Sequence, residues 1–288
     1  QSQLLKHLEG KPHHRCSGGS AANTIIAFTQ FGGRSAYKTV LGSDEFGYFY
    51  ASEFHSLGIN LLAPHIDEPT GTCIVLVTPD SERTMNTSLG ATAHFGIEHI
   101  SSEFIERSQW IYLEGYKFSA KSSTEALFYA IDLAQKFNTK VALTVSHVAI
   151  VTNFFDDVMK AIMNSDLLFC NENEAKALTE SHSVVEAVSK LKKLIKNFVV
   201  TCGDKGSYVV FGEKEIDIPS YKATPIDTTG AGDMYAGGFM FGLINFNNIE
   251  FAGHLGSLAA SKVVSQFGAR LSGTFKEMLF TVSERFTK

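Results

Sequence analysis

Asp227-Thr228-Thr229-Gly230-Ala231-Gly232-Asp233 runs without a break into Met234-Tyr235-Ala236-Gly237-Gly238-Phe239-Met240. Small residues give way to an apolar helical pattern, so the segment reads as a loop opening a helix. A helix start leaves backbone N–H groups without intrahelical partners, and the macrodipole adds partial positive charge there. With Gly230, Ala231 and Gly232 at that point, an anion can come close to the backbone. Asp233 falls in the first turn. Beside an anion cradle a carboxylate repels the ligand if binding is its whole task; it makes sense as a general base on an attacking hydroxyl. The competing reading is a tight loop in which Asp233 is only a helix-start acid. The segment is no dinucleotide fingerprint, since Tyr235 stands where GxGxxG needs Gly or Ala, and the chain has no P-loop lysine motif.

Outward from this segment, helical and strand patterns alternate. The spacing predicts strands over 35–41, 72–77, 83–87, 109–113, 140–145, 167–170, 197–201, 207–211 and 214–218. It predicts helices over 24–31, 45–57, 98–107, 122–137, 154–163, 172–178, 184–195, 230–241 and 250–267, with Ser122 and Ser123 as cap candidates for the fourth. Strands that alternate with helices imply βαβ units and a mainly parallel sheet. The exception is 72–87, a hairpin expected to turn at Pro79-Asp80-Ser81 and to form a small β appendage. The 288 residues show no repeat or long linker, so one α/β domain over 1–288 is the economical reading.

Composition narrows the function. With 25 Lys+Arg against 30 Asp+Glu, the net charge is -5, which argues against a nucleic-acid partner. No stretch approaches the ~18 apolar residues of a membrane span. The start of the chain shows no apolar secretory segment. Cys16, Cys73, Cys170 and Cys202 are scattered, which suggests neither a zinc site nor a disulfide framework and fits the cytoplasm. None of the ten histidines has a metal-ligand spacing.

Three further segments carry chemistry. Ser17-Gly18-Gly19-Ser20-Ala21-Ala22-Asn23 leads into an apolar helix, where Asn23 reads either as a ligand for a polyhydroxylated molecule or as a satisfied structural amide. Just beyond it, Asp44 reads as an N-cap. Asn171-Glu172-Asn173-Glu174 follows an apolar strand, and the carboxyl end of such a strand is where ligands bind in an open α/β sheet. Asn171 and Glu174 share a helix face, and amide plus carboxylate suits hydrated Mg²⁺; an ordinary polar helix start fits equally well. Thr201-Cys202-Gly203-Asp204-Lys205-Gly206 offers backbone N–H groups to phosphates, or is only a hairpin turn.

In order and spacing these four segments resemble the ribokinase-like (PfkB) family of carbohydrate and nucleoside kinases, from about Ser17 to about Arg270. The 83–91 and 113–116 segments look closest to its adenosine-kinase-like subgroup. The resemblance implies a doubly wound, mainly parallel sheet flanked by helices, with a small β lid around 60–90. It implies ATP-dependent phosphoryl transfer to the hydroxymethyl group of a sugar or nucleoside, with an adenosine- or ribose-like substrate favoured. By the same resemblance Asp233 is the base and Gly230, Ala231 and Gly232 form the anion hole. Gly18, Gly19 and Asn23 hold the sugar, with Asn23 on its ring hydroxyls. Asn171, Thr201, Gly203, Gly206 and Gly268 line the ATP site. Glu174 and Asn171 place Mg²⁺ through water, and Asp227 holds a monovalent cation, K⁺, in some members. A homodimer paired through the lid would cover the edges of its strands.

Two departures stand out. Family members begin with a strand ending in an Asp that binds the sugar; here Ser17-Gly18-Gly19 comes too early for it, so that strand is expected to be missing. Ser146-His147 stands where relatives show Ser-Asp or Asp-Pro-like residues. The alternatives are a kinase for fructose or another hexose, and a silent sugar- or nucleoside-binding protein on the same fold. The retained Asp233 and its glycines speak against the silent protein.

Overall fold

The computed structural model describes residues 2–11, 13–78, 83–271, 273 and 275–286. Its first strands form three small pairs. β1 (Ala36–Lys38) pairs in parallel with β3 (Asn60–Leu62), and β2 (Leu41–Gly42) with β4 (His65–Ile66). β5 (Thr72–Val77) and β6 (Arg83–Ser88) form the expected antiparallel hairpin, with Val75 facing Met85. The expected turn at Pro79-Asp80-Ser81 lies outside the described residues.

The main sheet takes β7 (Trp110–Glu114), β8 (Lys140–Thr144), β9 (Leu167–Asn171), β10 (Asn197–Thr201), β11 (Ser207–Phe211) and β12 (Lys214–Ile218). Their spatial order is β12-β11-β10-β9-β8-β7. β7 to β10 run parallel, and β11 and β12 close the far edge as antiparallel strands. The centre of the sheet is apolar on both faces, as it is when helices cover both. Strand periodicity therefore sends alternate residues into separate cores. Leu143, Leu168, Cys170 and Val200 pack with Leu127, Ala130, Ile131 and Ala134 of the helix Lys121–Phe137. Ala142, Leu167, Phe169 and Val199 pack with Tyr235, Ala236 and Phe239 of the helix Ala231–Phe246. Phe239 is fully buried, edge-on to Phe169 at 5.5 Å between ring centroids. Burying one such side chain contributes ~1.5–3 kcal/mol.

The helix Ala231–Phe246 is buried on nearly every side from Met234 to Leu243. Its glycines explain how it fits. A Cβ on Gly237 would lie 2.6 Å from Ala27 Cβ and 2.7 Å from the Thr24 carbonyl, and one on Gly242 would lie 2.6 Å from Ala252 Cα. The helices Ser20–Gln30 and Ile249–Val263 therefore approach it backbone to backbone.

Several boundaries differ from expectation. Neither Ser122 nor Ser123 caps its helix: the cap position is Ala120, and Ser123 Oγ donates backward to the Lys117 and Ala120 carbonyls. Over 98–107 only Ser102–Glu106 is α-helical, because Ile100 and Ser101 are extended. The final long helix stops at Val263, whereas Ala231–Phe246 runs on until Asn247 turns left-handed. Among the described residues the α-helices Ser2–His7, Val148–Asn153 and Phe275–Ser283 had no expectation.

Candidate active site

The 227–233 turn is built around one carboxylate. Asp227 is buried; its Oδ1 accepts from the Thr229 N–H at 2.8 Å and from the Thr229 hydroxyl, and its Oδ2 accepts from the Gly268 N–H at 2.9 Å. It thereby clasps two loops together. Gly230 takes φ +77°, and a Cβ there would lie 2.7 Å from Ala269. Glycine is required for both reasons. The helix starts at once, with the Met234 N–H bonded to the Gly230 carbonyl at 2.8 Å. Gly232 is exposed, and nothing lies within 4 Å of where its Cβ would be. The helix N-terminus thus faces open space lined by backbone, which suits an approaching anion.

Asp233 is half-buried at this opening, held by the Ser20–Gln30 helix. Ser20 Oγ donates to its Oδ1 at 2.7 Å, and Asn23 Nδ2 donates to its Oδ2 at 2.8 Å. The sequence reading placed Asn23 on ring hydroxyls of a sugar. In the structure Asn23 is buried and both ends of its amide are engaged within the protein, because Arg270 Nε donates to Oδ1 at 3.4 Å. Asn23 therefore holds the carboxylate. Gly18 and Gly19 are exposed beside it, with no neighbour near Gly18's missing Cβ.

Two carboxylates support the loop. Glu114, at the carboxyl end of β7, accepts from the Ala21 N–H at 2.9 Å, where negative charge complements the helix start. Glu53, on the helix Glu45–Ser56, accepts from the Ser17 N–H and hydroxyl at 2.7 and 2.5 Å. Burial pushes its carboxyl up, but the Ser17 bonds and Arg270 outweigh this and hold it below its ordinary range. Asp44 caps the same helix as expected, accepting from the Gly47 N–H at 2.8 Å. Ser146 takes φ +74° and its hydroxyl accepts from the Gly115 N–H, while His147 caps the helix Val148–Asn153.

A second group gathers where β9 and β10 end, with Asn171 in register with Thr201. Asn171 and Glu174 form a reciprocal capping box. Glu174 accepts from the Asn171 N–H at 2.9 Å and from Nδ2 at 2.7 Å. Burial pushes the Glu174 carboxyl up to about 7, against the lowering effect of those two bonds. A buried carboxylate whose two oxygens already accept from Asn171 is a poor direct ligand; it fits a hydrated Mg²⁺ better, since that ion keeps its waters. Among the described residues, no group of three or more His, Cys, Asp or Glu is arranged to hold a metal ion. Thr201 and Ser207 face each other across the β10–β11 hairpin. Gly203 and Gly268 are left-handed with open space beyond, while a Cβ on Gly206 would run into the Ile218 carbonyl. Ser207 Oγ and the Tyr235 hydroxyl, 2.7 Å apart, join this group to the helix Ala231–Phe246.

Ser20, Glu53, Glu114 and Arg270 were not among the expected site residues. Ser20 had no signal, since the expected helix began at residue 24; the observed helix begins at Ser20 itself and sets it on one face with Asn23. The other three are brought in by tertiary packing alone.

The chain matches the family model described as pfkB family carbohydrate kinase over residues 6–274. A ribokinase of Haemophilus influenzae is 28% identical over 277 residues, covering 92% of this chain and 86% of the relative. The crystal structure of an adenosine kinase from Sinorhizobium meliloti superposes with a TM-score of 0.91 at 30% identity, covering 99% of this chain and 87% of that one. A fructokinase from Vibrio cholerae, solved with fructose, ADP and calcium ion bound, shares the fold with a TM-score of 0.81 at 24% identity, covering 94% of each chain.

Proposed function

We propose, for a chain that belongs to the pfkB family of carbohydrate kinases, ATP-dependent transfer of a phosphoryl group to the hydroxymethyl group of a nucleoside or ribose-like sugar. One observation carries this reading. Asp233 is fixed by Ser20 and Asn23 at a helix N-terminus, between the open backbone of Gly232 and the exposed Gly18-Gly19 loop.

Asp233 accepts the proton of the acceptor hydroxyl as its oxygen attacks the γ-phosphorus. The bond from that phosphorus to the ADP oxygen then breaks. Little covalent work falls to the protein, so positioning and charge stabilisation dominate. The N–H groups of Gly230, Gly232 and Asp233 face the charge on the transferring group, and that of Ala231, which donates to the Thr228 carbonyl at 3.4 Å, turns to it when the group binds. In acyl transfer, losing one such donor costs ~3–4 kcal/mol, and a comparable scale is expected here. A positioned base contributes ~10²–10⁴-fold.

Asn171, Thr201, Gly203, Gly206 and Gly268 flank ATP in this reading. Mg²⁺, held through water by Asn171 and Glu174, would neutralise phosphate charge. Asp227 acts as the clasp between the two loops, and a monovalent cation such as K⁺ beside it would act through the same clasp. The exposed β5–β6 hairpin is the lid and, through Val75 and Met85, the dimer contact; sedimentation at micromolar protein tests that contact. No described helix is long and apolar enough to cross a membrane. The four free thiols support action in the cytoplasm.

The deciding experiment is a coupled ADP-release assay over adenosine, other nucleosides, ribose, fructose and phosphosugars. Signal with adenosine or ribose supports the reading. Signal with fructose alone moves the chain to the hexose kinases, and silence across the panel favours a binding protein.

A further inference from the structure

Arg270 follows Gly268, which Asp227 clasps, and Ala269, which closes the space beside Gly230. Its guanidinium is buried between two helices of the acceptor side. Nε donates to Asn23 Oδ1 at 3.4 Å, and Nη1 lies 3.2 Å from Glu53 Oε1. The other oxygen of Glu53 holds Ser17. Only 11% of the Arg270 side chain is exposed, and Nη2 is buried without a hydrogen-bond acceptor among the described residues.

That arrangement is a poor way to gain stability. A buried ion pair offers little net advantage over apolar packing, and buried donors left unmet are costly. A positioning task accounts for it. The two ends of an Asn amide differ: the oxygen accepts and the nitrogen donates. With the guanidinium on one side and the Asp233 carboxylate on the other, only one orientation satisfies both. Remove the guanidinium, and nothing on that side keeps the nitrogen turned toward Asp233.

We infer that Arg270 is a positioning residue: through Asn23 it aims the Asp233 carboxylate, and through Glu53 and Ser17 it ties that aim to the Gly18-Gly19 loop. This rests on the kinase reading for its consequence in turnover, but the orientation of Asn23 does not depend on any reaction.

The test is a double-mutant cycle with a resonance readout. Arg270→Met should lower kcat at least about tenfold, with KM for ATP unchanged, because misaiming a reacting group costs turnover. Arg270→Lys should recover part of that loss. In an Asn23→Ala background the same change should cost clearly less than in the wild type, the remainder passing through Glu53 and Ser17. The side-chain amide signal of Asn23 in the ¹⁵N-labelled full chain should shift in Arg270→Met without any substrate added. Additive losses, or an unmoved amide signal, overturn the inference. If Arg270→Met fails to fold, the pair Arg270→Met/Glu53→Gln removes both charges together, and the same cycle is run on it. An enzyme silent toward every acceptor but showing the amide shift would sink the kinase reading and keep the Arg270 linkage.

Discussion

The carboxylate of Asp233 and the amide of Asn23 are 210 positions apart in the chain and 2.8 Å apart in space. The contact joins the helix Ser20–Gln30 to the first turn of the helix Ala231–Phe246. A change at either end is therefore felt at the other.

Asp233→Asn should lower turnover by ~10²–10⁴-fold, the range for loss of a positioned base. ATP affinity should stay near wild type, because the base acts on the acceptor hydroxyl during transfer. Coupled ADP release and titration calorimetry with ATP give the two numbers. Retained turnover would remove Asp233 from the role of base.

Gly237→Ala should damage stability and turnover together. The new methyl would sit 2.6 Å from Ala27 Cβ, so the Ser20–Gln30 and Ala231–Phe246 helices must separate. Overpacking of this kind costs ~1–3 kcal/mol, visible as a lower Tm. Since Asn23 and Ser20 ride on the displaced helix, kcat should fall at temperatures well below that Tm. A lowered Tm with normal kcat would show that the helices relax without disturbing Asp233.

Glu174 gives a pH signature. Its carboxyl is raised by burial from 4.5 to about 7. Below the lower value both folded and unfolded chains hold the proton, and the stabilising effect of the shift is complete. As pH rises through the folded value that effect is lost, because the unfolded chain releases the proton more readily. The full swing is on the order of 3 kcal/mol. Urea denaturation at pH 5, 6 and 8 should show the wild type weakening with pH and Glu174→Gln doing so less. Parallel profiles would assign the slope to other groups.

The parts of this fold with a long, regular pattern were legible. β8, β9 and β10 stand within one residue of expectation, since a continuous apolar run between polar turns has few other readings. The β5–β6 hairpin is equally close. The expected strand over 35–41 divides into β1 and the start of β2, and their partners β3 and β4 were not visible, because two or three residues are too few to show a period. At the site, the Gly230 turn could be read because its positive φ is a local demand of the backbone. The engagement of Asn23 by Arg270 could not, because no local pattern links positions 247 apart.

The sheet also divides the labour of change. Leu168 and Cys170 look toward the layer of Lys121–Phe137, while Leu167 and Phe169 look toward the layer that carries Asp233. A bulkhead of this kind lets one compartment be refitted while the other stays in service. Substitutions around Leu168 should thus change stability before they change the setting of Asp233.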